Sequence, residues 1–362
     1  MRRLMPLPKI DSKEWDDEIK FYQNSNRGQK IKRAKDLKFA TVSSYEARMN
    51  ERGIHIKNTD TLFSPDSTEE PIIVNLPPVK LKEYHPEKTI GKKGDPETQI
   101  LHLTDNHAGQ LTKSFNTDIY KSRLEHLFQS TLKITNLHRN MYPVDNLEIF
   151  MTGDMIHGEN PKQGGKVEGI SCGARSQVIT IALPTLSELI LSLKQKFKSV
   201  NLHCVRGNHG RYSREAPATS NWDLLLYDLL KEKLGHYDIN VDISEEFYNI
   251  VEIQNHKFFL CHLDQCKASQ GIPWFSLVRK IRSWFVTYGG FDYVIGGHWH
   301  RDDHLRINSR CKLFVGASIV TDDPFSEEII GDSTIPCQWT FGVHKDRGVT
   351  WSYPLIVDDK YF

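Results

Sequence analysis

From Thr98 onward, short apolar runs alternate with longer stretches whose apolar residues recur every three or four positions. The short runs read as strands and the longer ones as helices. Strands are expected over 99–103, 147–151, 200–205, 248–253, 257–261 and 293–295, with later ones over 312–315 and 348–357. A turn at Asn255-His256 joins two of them. Helices are expected over 117–139, 177–197 (begun or kinked near Pro184), 221–233 and 274–287. This order predicts an α/β or α+β layered domain over 98–362, with the late strands in a second sheet. No internal repeat interrupts it.

The first quarter of the chain has a different pattern. Residues 1–56 read as a small helical unit. Ile31, Ala34 and Leu37 fall at helical spacing, the Ser43-Ser44 pair suits an N-cap, and Tyr45, Ala47, Arg48 and Met49 precede Gly53. Helix, short turn, second helix and glycine stop resemble a helix-turn-helix, whose second helix enters the DNA major groove. Residues 1–60 hold fourteen Lys/Arg against nine Asp/Glu. Lys32, Arg33 and Lys35, among other cations just before the turn, could meet phosphates, with Ser43, Ser44 and Arg48 on the second helix. The alternative is a helical hairpin that packs on its neighbour with a solvated basic face. Residues 57–97 read as a linker, rich in Pro, Ser, Thr, Glu and Lys.

The formal net charge over 362 residues is +1, so nucleic-acid affinity would have to come from local patches. Six cysteines form no C-x-x-C pair, as expected for thiols in a reducing compartment. No uninterrupted apolar run has membrane-spanning length, and the first residues lack a signal-peptide core. These features predict a cytoplasmic protein with no membrane partner. Nothing here sets the oligomeric state, and a homodimer is compatible with it.

Five strand candidates end in the same way, with an apolar segment running into Asp, Asn or His. They lead into Asp105-Asn106-His107, Gly153-Asp154, Gly207-Asn208-His209, His262, and Gly297-His298-Trp299-His300. A single histidine at a strand end is ordinarily a packed residue. Five such ends together point to one metal centre at a sheet edge, where open α/β folds place their sites. Carboxylate and amide oxygens mixed with neutral imidazole suit Mn²⁺, Fe²⁺ or Zn²⁺ better than Ca²⁺.

The order D-x-H, G-D, G-N-H, H, G-H-x-H resembles the calcineurin-like metallophosphoesterase superfamily, over about 98–305. The resemblance implies a two-sheet sandwich flanked by helices and two divalent metal ions, Mn²⁺ first, with Fe²⁺, Zn²⁺ or Mg²⁺ as alternatives. It also implies that Asp105, His107 and His300 hold one ion, that Asp154 bridges, and that Asn208, His262 and His298 hold the other. His209 would stand beside the phosphate as a catalytic group rather than a ligand.

Protein phosphatases of that superfamily carry G-D-x-x-D followed by Arg, and an acid after G-N-H. This chain has His157 and Gly158 in the first motif and Gly210 in the second. Asp264 is one candidate to orient His209 in place of the missing acid. The G-D-x-x-H form is similar to the SbcD-type repair nucleases and phage-encoded relatives. His157, Arg206, Arg211 and Trp299 are then candidate substrate contacts, Trp299 by stacking on a base. Trp222, Trp274 and Phe275 are read as packing residues. The run after Gly158 reads as an active-site loop whose Lys162, Lys166 and Arg175 could track a backbone. The expectation is a two-metal phosphodiesterase acting on DNA. The alternative is a small-molecule phosphodiesterase or phosphatase with an N-terminal protein-interaction unit.

Overall fold

The computed structural model describes residues 13–25, 27–37, 45, 49, 94–160, 166–213, 215–267, 273–322 and 335–358. The chain divides into two units, Met1–Asn75 and Leu76–Phe362.

In the first unit, α1 (Lys13–Asn24) is a helix that the apolar pattern did not announce. Trp15, Glu18 and Tyr22 form its buried stripe. Then α2 (Arg27–Asp36) contributes Ala34, and Leu37 follows it into the same cluster. Tyr45 and Met49, four residues apart, complete that cluster. Ile31, expected on this face, is 51% exposed. Lys30 turns in instead, with its ammonium 4.5 Å from the Tyr22 ring centre. Arg33, expected to face phosphates, donates to the buried Glu18 carboxylate, which also accepts from the Tyr45 hydroxyl. That carboxylate is out of water and its desolvation is offset by these two donors. Lys32 and Lys35 remain exposed. Ser43, Ser44 and Arg48 lie outside the described residues, as do the helix-turn-helix junction and 57–93 of the linker.

The second unit begins with β1 (Glu97–Leu103) and continues through α3 (Thr117–Arg139), β2 (Asn146–Met151), α4 (Ala174–Lys194) and β3 (Ser199–Cys204). Next come α5 (Trp222–Gly235), β4 (Asn240–Ile243), β5 (Tyr248–Ile253), β6 (His256–Cys261), α6 (Trp274–Thr287) and β7 (Tyr293–Gly296). The strands β8 (Asp303–Arg306), β9 (Lys312–Val315), β10 (Cys337–His344) and β11 (Gly348–Ile356) complete it. The six-stranded sheet has the order β11-β10-β1-β2-β3-β4, and the five-stranded sheet has the order β5-β6-β7-β9-β8.

Three apolar clusters make the layers. Ile100, Phe150 and Val205 of the first sheet interleave with Phe258, Leu260, Ile295 and Phe314 of the second. The outer face of the first sheet is covered by α3, α4 and α5, and that of the second by α6. Each sheet therefore buries both faces, which explains why the central strands read as unbroken apolar runs. The expected two-sheet sandwich flanked by helices is what forms.

Two departures have simple causes. The helix expected to begin or kink near Pro184 runs from Ala174 to Lys194, with a π-helical turn over Gln177–Ala182. Proline has no N–H and crowds the carbonyl four residues back, and the wider turn just before it relieves both problems. By length and composition this helix could cross a membrane, yet 61% of its most apolar 18-residue window is buried inside the fold. The β5–β6 turn centres on Gln254 and Asn255, one residue earlier than expected, with φ of 52° and 65°. Two left-handed residues match the twist of a tight hairpin.

Parallel pairing sets the strand ends level. Leu103 pairs with Met151, and Met151 with Cys204, so the loops leaving β1, β2 and β3 start from one rung. In the other sheet β6 and β7 are also parallel, with Leu260 opposite Ile295. All five motif loops leave the C-terminal ends of these strands.

His203 ties the far edge of the first sheet. Its Nε2 lies 3.0 Å from Glu148 on β2 and its Nδ1 3.2 Å from Asp242 on β4. Burial pushes this imidazole's pKa down, but the Glu148 and Asp242 carboxylates outweigh it and hold the pKa above 6.5. The stabilisation is therefore complete below about pH 6.5 and fades as pH rises through the raised value. His203→Gln is expected to lower the melting temperature by about 2–4 °C at pH 5.5, and by less at pH 9. A deficit that grows with pH, measured by differential scanning fluorimetry, would contradict this linkage.

Candidate metal centre

Asp105, His107, Asp154, His298 and His300 adopt left-handed backbone conformations, with φ of 50°, 47°, 54°, 71° and 51°. Such φ values are uncommon for residues with a side chain, and they persist where the surroundings over-determine them. These five are among the seven predicted ligands. The strain curls each loop back over its strand end, so that side chains from different strands face one another.

Two glycines permit the close approach. A Cβ on Gly297 would stand 2.0 Å from both Asp105 Oδ2 and Thr104 Oγ1. One on Gly207 would stand 2.1 Å from Asp154 Oδ1.

In the first corner, Asp105, His107 and His300 bring their donor atoms within 4.8 Å of one another. His107 Nε2 lies 3.1 Å from His300 Nε2, and Asp105 Oδ1 is 3.4 Å from the latter. The other Asp105 oxygen accepts from Thr104 Oγ1 at 2.7 Å and from the His298 amide at 2.9 Å. In the second corner, Asp154, His262 and His298 converge in the same way. Asn208 joins them, its Oδ1 3.0 Å from His262 Nε2. The His107 amide donates to the Asp154 carbonyl, so the corners adjoin.

The proton positions in this cage define the charge it can accept. His262 Nδ1 lies 2.8 Å from the Thr152 carbonyl and must donate to it. In the neutral ring Nε2 is then a lone pair, aimed at Asp154 Oδ2 at 2.9 Å and at Asn208 Oδ1. Three acceptors facing one another need a positive charge between them. Burial pushes the pKa of His262 down, but the Asp154 carboxylate pulls it well above its ordinary value. A proton there answers the same unmet negative charge that a divalent cation answers.

The other imidazoles move in the opposite direction. Burial, then the neighbouring His209 and His300, hold His107 well below 6.5. Burial and His262 bring His298 down to about 3. Both are neutral near pH 7, the state in which imidazole ligates a metal. Burial alone would raise the two aspartates, but the surrounding histidines hold both below the usual carboxylate range. Oxygen and imidazole in this proportion fit first-row divalent ions.

His209 stands between the corners on the open side. Its amide donates to Asp154 Oδ1 at 2.8 Å, and its ring packs 4.6 Å from that of His107. Its Nδ1 donates to the His157 carbonyl at 3.1 Å, so a backbone oxygen, not Asp264, fixes the ring. The His157 side chain closes the same corner, with Nδ1 3.4 Å from His107 Nδ1. Arg206 instead donates to the Glu245 carbonyl, and Arg211 donates to the Ala216 carbonyl at 3.4 Å. Trp299, expected to stack on substrate, is 4% exposed and belongs to the apolar cluster beneath α6. A strand-end loop that turns two histidines toward one side sends the residue between them the other way. Phe275, read as a packing residue, is 75% exposed. Lys162 lies outside the described residues.

Four bracing residues, on three elements, were missed in the sequence. Asp223, fully buried at the start of α5, accepts from the amides of Asp154, Met155, Ile156 and Gly207 at 2.9–3.4 Å. Its neighbour Asn221 caps α5 and donates to the Gly207 carbonyl at 2.8 Å. Gln338 on β10 grips both the amide and the carbonyl of Thr104. Gln177, in the π turn, bonds the amide and carbonyl of Gly158 at 2.7 and 3.1 Å. An Asn-x-Asp helix start was legible, but nothing in it tells a cap from a brace across two loops.

A two-sheet sandwich with Asp, Asn and His clustered at its parallel strand ends is a metal-dependent phosphoesterase. The chain belongs to the calcineurin-like phosphoesterase family, whose profile matches residues 98–302. Among solved structures it is similar to an archaeal phosphodiesterase, at 14% identity and TM-score 0.34, covering 71% of this chain and 99% of that one. It is also similar to a zinc-complexed Vps29 from Entamoeba histolytica, at 13% identity and TM-score 0.34, with 71% and 99% covered. A 5'-nucleotidase from Candida albicans matches at 12% identity and TM-score 0.31, covering 72% of this chain and 49% of that one. No curated protein matches the chain.

Removing Asp223 leaves four buried amides without their acceptor, each worth roughly 1–3 kcal/mol when unmatched. Asp223→Ala is expected to destabilise the fold by at least about 3 kcal/mol and to lower bound metal per chain. Thermal melts and elemental analysis read the two effects. Wild-type metal content in the folded variant would remove Asp223 as a brace.

Proposed function

We propose that this chain is a two-metal phosphodiesterase whose substrate is a nucleic acid, DNA first. Asp105, His107 and His300 would hold one ion, and Asn208, His262 and His298 the other, with Asp154 shared. When bound, such a pair supplies Lewis-acid polarisation of phosphoryl oxygens and a nucleophile at neutral pH.

The observation that carries the reading is the corner made by His107, His157 and His209, whose ring nitrogens lie within 4.8 Å of one another. The substrate side of the centre is walled with imidazole. Of the arginines beside the motifs, Arg206 is turned to the Glu245 carbonyl, Arg211 donates to the Ala216 carbonyl, and Arg301 lies 3.7 Å from Asp303. A diester carries one negative charge per phosphate and a monoester nearly two, so a wall of this kind favours the diester. The G-D-x-x-H form at Asp154 and His157, similar to the SbcD-type nucleases, supports the same choice.

His209 is assigned the proton. The His157 carbonyl accepts Nδ1–H in either charge state, so the ring keeps its direction while Nε2 gains or gives up a proton. Protonated, it steadies charge on the phosphoryl oxygens or protonates the leaving oxygen. The buried His157 side chain holds the wall in place. Lys32 and Lys35, exposed on α2, support a DNA contact by the first unit.

The test is a parallel panel on the manganese-loaded chain: single- and double-stranded DNA, bis-p-nitrophenyl phosphate and the corresponding monoester. The expected order is diester and DNA well above monoester. Rapid monoester turnover with intact DNA would replace this proposal with a small-molecule phosphatase. His209→Ala is expected to lower turnover of the diester by about 100-fold or more with metal content retained. Loss of both metals in that variant would move His209 into the ligand set. Deleting residues 1–56 is expected to weaken DNA affinity and flatten its salt dependence while sparing the small diester. Unchanged DNA affinity would give the first unit another role.

A further inference from the structure

We infer that the groove between α6 and the loop following His262 is a docking site for the backbone of a polynucleotide strand running out of the metal centre. The inference rests on the phosphodiesterase reading and adds where the rest of the substrate lies.

The groove has a volume of about 440 Å³ and is lined by Gln265, Lys267, Ser276, Arg279, Lys280 and Ser283. Three of these are cations, two are hydroxyls and one is an amide. Among the described residues no carboxylate lines it. Lys280 is committed, since its ammonium donates to the Gln265 carbonyl at 2.6 Å and so ties α6 to the loop. Lys267 and Arg279 are exposed, and neither has an ion-pair or hydrogen-bond partner among the described residues. Two unmatched cations and two hydroxyls in one concave site suit a phosphate oxygen.

Position ties this groove to the reaction. Gln265, on its floor, is three residues after His262, a chain reach of at most about 11 Å. The Cys266 amide closes the intervening turn on the Leu263 carbonyl at 3.0 Å. The same loop therefore presents His262 to the cage and Lys267 to the groove.

Phe275 supplies a second, independent feature. It precedes Ser276 on the first turn of α6 and is 75% exposed. A bare aromatic ring next to paired cations is the combination that binds single strands, with phosphates on the charges and a base on the ring. The helix carries Arg279, Lys280 and Arg282 and no acid. An anionic lipid surface would also attract a basic helix, but the hydroxyl-lined concavity beside a phosphodiester site favours the strand.

The test uses the full chain. Binding of a fluorescein-labelled 12-nucleotide single strand is read by anisotropy across a salt series, in the His209→Ala background so that the strand is not consumed. Lys267→Ala/Arg279→Ala is expected to weaken affinity at least tenfold and to lower the salt slope by about 1.4, two contacts at about 0.7 each. Phe275→Ala alone is expected to weaken it at least threefold with the salt slope retained. Turnover of bis-p-nitrophenyl phosphate, measured with His209 intact, should change several times less than strand affinity. Unchanged strand affinity in the double variant overturns the inference. So does an equal fall in small-diester turnover, which would place the damage at the metal centre. Loss of binding to phosphatidylserine vesicles with strand affinity retained assigns the face to a lipid surface and also overturns it. A chain that hydrolyses no phosphoester removes the phosphodiesterase reading, while the binding arm still decides the groove.

Discussion

Acceptors crowded against acceptors are the governing constraint of this molecule. Asp154 Oδ2 and Asn208 Oδ1 both lie at about hydrogen-bond distance from His262 Nε2, while the ring's Nδ1–H is engaged by the Thr152 carbonyl. Left alone, such a cluster would open. It is held shut by backbone bonds, by neighbours too close for a Cβ, and by two buried carboxylates whose charge the histidines balance. Much of the local architecture can be read as the means of forcing lone pairs together until only a cation resolves them.

The forcing is done by residues that touch no substrate. Asp223 gathers four amides from two loops, Gln338 grips the start of the first motif, and Gln177 pins the turn after His157. Each brace comes from a different element, α5, β10 and the π turn of α4. A buried acceptor satisfied by several rigid amides cannot move without breaking all of them. Left-handed backbone at five ligand positions is affordable for this reason, because the strain is local and the bracing is distributed.

The layered fold and its ligand-bearing strand ends were legible because both follow from short-range pattern. Strand and helix periods are written in the apolar positions, and a motif at a strand end needs no distant partner to be recognised. Elements defined by long-range pairing were harder to see. The strand β10 pairs with β1 across more than 230 residues of chain, and although its Cys337-Gln338-Trp339-Thr340-Phe341 run alternates apolar and polar residues, nothing local ties that run to so distant a partner. The short edge strands β4 and β8 give too few residues to establish a period. Side-chain direction was also hidden. Trp299 and Phe275 exchanged their expected places because whether an aromatic faces core or water depends on packing partners that a local window does not contain. Arg33 was read as a surface cation because its partner, Glu18, lies on a helix whose stripe includes that same buried acid.

The seven residues proposed to hold the two cations are divided between the sheets. Asp105, His107, Asp154 and Asn208 hang from the first, and His262, His298 and His300 from the second. The distance between those sheets is set by Phe150, Phe258 and Phe314, which meet in the layer between them. The aromatic filling thus works as a gauge block for the cage above it. A methylene added or removed there, far from any ligand, would change the span across which an ion must reach. Selection on metal preference could act through such interior residues while the visible motif stayed the same.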